Sequence, residues 1–262
     1  MEEIKLTARY RDRKTWACTI SWLAAPLITS AGILGVTPAR ADLFTPGVSQ
    51  QIKLGDQVAR QIEHQYRVLH DDRAARLERV GSSLLDHMGK DRGPWKWTYE
   101  LIDSKEINAF ALPGGHTFFF TGLFDQLTND DELAAVMGHE MTHVRKQHWA
   151  HEYADQEKRE LGLGLVLGLT HAGTGWGTLA DVGDTLLTLK YSRSEEEQAD
   201  QGGLQNMTAA GYNPNGMIEL FKILKKAGGG GTPEFLSDHP LTDHRIKAAQ
   251  DTIQKMGFEP EQ

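Results

Sequence analysis

The sequence predicts an α+β fold, mostly helical, with a small sheet of about three strands packed beside one central helix. Three observations carry that expectation. Apolar residues recur at helical spacing through most of 48–90, 128–148, 180–208, 215–226 and 242–256. Between 94 and 121, short apolar stretches alternate or run about a Pro-Gly-Gly turn, as strands do. The 262 residues are 39% hydrophobic and 24% charged, an ordinary globular balance with ample material for a core.

In chain order, Ile52, Val58, Ile62, Tyr66 and Leu69, then Leu77, Val80, Leu84 and Met88, give 48–90 its helical period. "PWKWTYELI" (94–102) alternates Trp95, Trp97, Tyr99 and Leu101 and reads as a half-buried strand. "INAFAL" (107–112) and "HTFFFT" (116–121) flank Pro113-Gly114-Gly115 and read as two more. A helix is expected to begin near Thr128 or Asn129, with Asp130, Asp131 and Glu132 in its first turn, and to run past His148. Six glycines in 161–178 weaken regular helix there, which suggests either a mobile flap or close helix packing. Helix resumes near 180–208, breaks at "GYNPNG", returns at 215–226, and follows the link "AGGGGT" (227–232) with a last amphipathic helix at 242–256.

The net charge of −8 argues against a nucleic-acid partner. Residues 1–41 stand apart. Lys5, Arg9, Arg11, Arg13 and Lys14 precede the uncharged stretch 15–36, and Ala39-x-Ala41 follows. Basic, apolar and small in that order predict a signal peptide at 1–41, cleaved before Asp42, with 42–262 as the exported chain. The alternative is an uncleaved anchor through 15–36. Cleavage would move the net charge from −8 to −11 and remove Cys18, the one cysteine, so no disulfide can support the exported fold.

The chemistry concentrates in "GHEMTH". Residues four apart on a helix are separated by about 40° and stack on one face. His139 and His143 can therefore share a metal, while Glu140 projects to the side, where it can take a proton from water. A third ligand is needed. The histidine and glycine slots of the H-E-x-x-H-x-x-G-x-x-H class hold Trp149 and Lys146, which excludes that class. His148 and His151 are out of register and read as solvated or supporting helix residues. "YSRSEEEQAD" (191–200) offers Glu196 as a carboxylate ligand. One turn on, Asp200 can accept the distal N–H of a ligand imidazole and fix its tautomer. Glu195 and Glu197 read as a solvated helix face.

His139-Glu140-x-x-His143, "INAFALPGG" upstream, "SRSEEEQAD" downstream and "SDHPLTDHR" near the end occur in one order. Together they resemble the zinc metalloendopeptidases that include the CAAX prenyl protease and bacterial heat-shock and periplasmic quality-control proteases. The resemblance spans roughly 48–256. It implies a zincin-like metallopeptidase domain over 42–262 that binds one Zn2+ per chain and cuts peptide bonds, with misfolded or unassembled envelope proteins as substrates. It implies His139, His143 and Glu196 as ligands, Glu140 as the base and Asp200 as support. It further implies a substrate-binding edge at Asn108, Ala109, Phe110, Ala111 and Leu112, which the residues alone would place in core β-structure. His239 matches a histidine that in some relatives approaches the metal, either regulating access or stabilising the oxyanion, and Arg245 matches a basic residue nearby.

Nothing after residue 36 is long and apolar enough for the spans of the membrane branches, so a farnesylated membrane peptide is not the expected substrate. Nor does the sequence reach a helical-repeat domain. Two other readings stay open: a zinc-stabilised holdase that binds strands without cutting, against which the intact Glu140 speaks, and a latent protease capped at the metal by His239 or by 161–178. The location expected is exported, and periplasmic in a Gram-negative host.

Overall fold

The computed structural model describes residues 44–166, 190–228 and 233–261. The expected signal peptide, the glycine-rich stretch beyond Val166, the helix start near 180 and most of the glycine link lie outside the described residues.

The 48–90 stretch is two helices, not one. α1 (Val48–Gln65) buries Leu54, Val58, Ala59 and Ile62 along one face. It stops at Tyr66, whose backbone is extended, and the chain forms β1 (Val68–Leu69), which pairs antiparallel with Ile102 and Leu101. Asp71 then starts α2 (Asp72–His87) by accepting the backbone N–H groups of Arg73 and Ala74 at 3.0 and 3.2 Å. Periodicity alone bridges this break, because both helices turn the same kind of apolar face inward.

The sheet therefore has four strands, in the order β1-β2-β4-β3. β2 (Thr98–Ile102) runs parallel to β4 (His116–Phe120), and β3 (Ala109–Ala111) lies antiparallel to β4 at the edge. Gly114 and Gly115, at φ 104° and 110°, make the turn between β3 and β4 in a region closed to other residues. The alternation of the strands sorts two cores. Tyr99, Leu101, Ala109 and Phe119 face α2 and the motif helix, while Ile102, Phe118 and Phe120 face α1 and Trp149.

A short helix α3 (Thr121–Phe124) leads to Asn129, whose side chain caps α4 (Asp130–Arg145) by accepting the N–H of Glu132 at 2.9 Å. α4 is buried from Glu132 to Val144, sandwiched between the sheet and α6 (Arg193–Ala209). Gly138 of α4 faces Gly203 of α6, and the two backbones approach so closely that a methyl group at either position would sit only 3.0–3.1 Å from the other helix's backbone. That contact sets the separation of the two helices that carry the site.

The motif helix does not run past His148. It ends at Arg145, Gln147 turns left-handed at φ 57°, and α5 (His148–Val166) starts afresh. Gln51 of α1 donates to the Gln147 side-chain oxygen at 2.8 Å and to Pro46 O at 2.8 Å, pinning the kink. α7 (Gly216–Ala227), α8 (Glu234–Asp238) and α9 (Asp243–Lys255) close the helical layer behind α6. Among the described residues no helix is long and apolar enough to cross a membrane.

Candidate metal centre

One turn of α4 stacks His139 on His143 with their Nε2 atoms 3.0 Å apart. α6 brings Glu196 to them, with Oε1 3.4 Å from His143 Nε2 and Oε2 3.7 Å from His139 Nε2. The turn after α8 adds His239, whose Nδ1 lies 2.8 Å from Glu196 Oε1 and 3.2 Å from His139 Nε2. All four ligand atoms fall within 4.8 Å of one another, and each side chain is 3% exposed or less.

The donor set fits a cation. His139 turns its Nδ1 to Asp200 Oδ1 at 3.0 Å, so that nitrogen carries the proton and Nε2 presents a lone pair inward. Burial holds His143 well below the usual imidazole range despite Glu196, so that ring is neutral. Two lone pairs and a carboxylate converging at these distances, away from water, need a positive charge between them.

Glu140 is 2% exposed. Its Oε2 accepts the backbone N–H of Ala111 at 3.0 Å, while Oε1 has no hydrogen-bond partner among the described residues and lies 3.6 Å from His239 Nε2. Burial raises its pKa against the pull of His239 and His139. A carboxylate with one oxygen anchored and the other free, made more basic by desolvation, is suited to take a proton.

Arg245 does not point into this space. Its Nε and Nη2 form a fork on Asp200 at 2.8 and 2.7 Å, Nη1 reaches Pro240 O at 3.1 Å and pairs with Glu196, and the whole side chain is buried. All three of its nitrogens are engaged with Asp200, Glu196 and the His239 turn. His239, held between Glu196 and Glu140, has its pKa raised to about 9 because those two charges outweigh its burial.

Of the five residues expected at the substrate edge, two are turned outward. Phe120 N–H donates to Asn108 O at 3.0 Å and Leu112 N–H to His116 O at 2.8 Å. The alternation of an antiparallel ladder therefore faces Asn108, Phe110 and Leu112 toward β4, and Ala109 and Ala111 away from it. Ile107 O, just before this edge, is taken by Phe235 N–H at 3.3 Å.

Three further residues lie near the centre: His148, left open as solvated or supporting, takes the supporting place, while Tyr191 and Glu195 were not expected there. His148 is buried, with Nδ1 3.0 Å from His143 Nδ1, whereas His151 is exposed. The Tyr191 ring lies against His143 at 4.0 Å between centroids and against His239 at 5.4 Å. Glu195 is buried rather than solvated, because it exchanges hydrogen bonds with Ser192 at the start of α6 and crowds Glu152. Glu197 remains half-exposed beside His244, as a surface helix residue does. Tyr191 and Ser192 did carry a signal: a serine three residues before a glutamate marks a helix start and so points the preceding side chain back toward the site.

Residues 71–253 match the sequence profile of peptidase family M48. The chain is 29% identical to the beta-barrel assembly-enhancing protease of Escherichia coli over 89% of its own length and 52% of that protein's. It is 33% identical to the mitochondrial metalloendopeptidase OMA1 of Saccharomyces cerevisiae, over 64% of this chain and 48% of that one. It is 24% identical to the metalloprotease LoiP of Escherichia coli, over 87% and 90% of the two. The chain thus spans about half the length of the first two relatives. With a family match across most of the described fold and a buried His-His-Glu-His group of metal-binding type, this chain belongs to peptidase family M48.

Proposed function

We propose that the chain is a zinc-dependent endopeptidase with His139, His143 and Glu196 as its ligands. The single observation that carries the reading is the free Oε1 of Glu140 beside that buried group, an arrangement that a purely structural site does not require. When bound, Zn2+ supplies Lewis acidity, drawing electron density from water and from the scissile carbonyl. Glu140 takes the proton of the attacking water at Oε1 and passes it to the leaving amine. Asp200 holds the proton of His139 Nδ1, and Arg245 holds Asp200. Ala109 and Ala111 offer outward backbone groups to which an extended peptide can add as a strand. Ala111 N–H is shared with Glu140, so a substrate strand bonding there also frees the base.

The position of His239 supports a second, regulatory reading. Its Nδ1 lies 2.8 Å from Glu196 Oε1 and 3.2 Å from His139 Nε2, where hydrolysis needs an open position; held protonated by Glu196 and Glu140, it covers the group as a cation, and the site opens when the turn after α8 withdraws. The names of the relatives, and a leader of signal type at 1–41, support an exported protein that acts on misfolded or unassembled envelope polypeptides, in the periplasm of a Gram-negative host.

The test is to incubate residues 42–262, as wild type and Glu140→Gln, with unfolded casein, and to measure bound zinc and fragments together. Zinc in both, with cleavage falling by about 10²–10⁴-fold in the variant, is the expected result. Equal cleavage by both would remove Glu140 as the base, and absence of zinc from both would remove the centre.

A further inference from the structure

The two histidines of α4 are backed by different partners, and the partner of His143 is itself a histidine. His148 has 2% of its surface exposed and places Nδ1 3.0 Å from His143 Nδ1, with the rings nearly perpendicular at 80°. His143 points its other nitrogen, Nε2, at Glu196 and His139. If Nε2 is to give its lone pair to a cation, the proton of His143 must sit on Nδ1, where the one acceptor in reach among the described residues is His148 Nδ1. His148 must then carry its own proton on Nε2, a buried atom with no hydrogen-bond partner among the described residues.

We infer that His148 is a positioning residue of the metal centre, a neutral imidazole that accepts the His143 Nδ1–H and fixes that ligand's tautomer and orientation. The inference rests on the metal reading given above. Its placement is built, not incidental. Five residues apart on an unbroken helix, the two side chains would point about 140° apart. They meet because α4 ends at Arg145 and Gln147 adopts φ 57°, a left-handed conformation that residues other than glycine take up only against strain. Gln51 holds the kink from α1, and Tyr191 holds the His143 ring from its face. Packing alone would not explain the histidine. An apolar ring would fill the same space without burying an Nε2–H that has no partner.

The full-length chain, as wild type, His148→Phe, His148→Asn and His148→Gln, separates packing from hydrogen bonding. Asparagine puts an acceptor oxygen near the place of Nδ1, whereas glutamine moves its amide out toward Nε2 and phenylalanine has no acceptor. The zinc dissociation constant, read by competition with a fluorescent chelator, should rise about 10–100-fold in the Phe and Gln variants and stay within about threefold of wild type in Asn. Melting of the metal-free variants reports folding separately. Should Phe fail to fold, the contrast of Asn with Gln decides. Phe or Gln binding zinc as tightly as wild type, or Asn weakened as much as Gln, overturns the inference. A His148 Nδ1–H tautomer in ¹H–¹⁵N spectra of the zinc-loaded protein does so as well. A wild-type chain that binds no zinc at all takes the metal reading down first. Tight wild-type binding with an indifferent Phe variant removes only this one.

Discussion

His139 and His143 lie one helical turn apart, equally buried, yet the two sides of the centre are built from opposite materials. Behind His139 stands a charged stack. Asp200 accepts its Nδ1–H, and Arg245 grips Asp200 through two nitrogens, pairs with Glu196 and lies over the Phe221 ring at 5.6 Å. All of it is tied into the core by α6, α7 and α9. Behind His143 stand a neutral imidazole and a phenol ring, brought there by a kink and by the residue before a helix cap. A carboxylate raises the basicity of the imidazole it binds, whereas a neutral ring mainly orients it. One side of the centre is thus set for strength of ligation and the other for geometry.

The largest effect should come from breaking the charged stack. Arg245→Met removes the cation from two buried carboxylates and should cost about 3–5 kcal/mol of stability, read as a lower urea midpoint of the metal-free protein. If the loss stays below about 1 kcal/mol, the carboxylates are reached by water and the stack is not the anchor that its burial implies. Asp200→Asn, which keeps the shape and removes the charge, should weaken zinc binding about 10–100-fold while the fold survives. Combined with His148→Phe, its effect adds only if the two backing groups act through separate ligands, although those ligands touch at 3.0 Å. A strong deviation from additivity would mean that the two sides act as one network. Smaller again is Tyr191. Tyr191→Leu should cost about 0.5–1.5 kcal/mol beyond its lost area, and Tyr191→Phe close to nothing, if the ring alone supports His143. A large effect of Phe would instead assign work to the hydroxyl.

The comparison also separates what the sequence makes legible from what it does not. The strong side was readable. His139 and His143 share a face through the period of one helix, Glu196 and Asp200 through that of another, and helix period is the most local of structural rules. The weak side was not. His148 reaches His143 only because Gln147 is left-handed, and Gln147 is held by Gln51, 96 positions away. The same blindness hid β1, two residues that become a strand only by pairing with Leu101 and Ile102. It also put Glu195 in solvent, since three successive glutamates look like a surface until α5 packs Glu152 against one of them. Arg245 lies beside the centre through its contacts with Asp200 and Glu196, since a motif gives a neighbourhood and not a direction.

That carboxyl pair offers the mildest test of the difference, because it belongs to the weaker side. Burial and, after it, the neighbouring Glu195 together raise the Glu152 carboxyl to about 7. In the unfolded chain its ordinary value is near 4.5. A carboxyl raised on folding contributes stability that is complete below about pH 4.5 and is lost as the pH climbs through about 7. Between those values the unfolded chain ionises while the folded carboxyl stays protonated, and above about 7 Glu152 takes on charge inside the fold, so α5 loses part of its hold on α6. The melting temperature of the wild type should therefore fall over this window by more than that of Glu152→Gln, which keeps a hydrogen-bonding group and cannot ionise. Because Glu152 is partly open to water, the difference should be a few degrees at most. Identical pH profiles for the two proteins would mean that the pair is solvated in the folded state, and that what holds α5 against the centre is His148 and the apolar contacts of Trp149 alone.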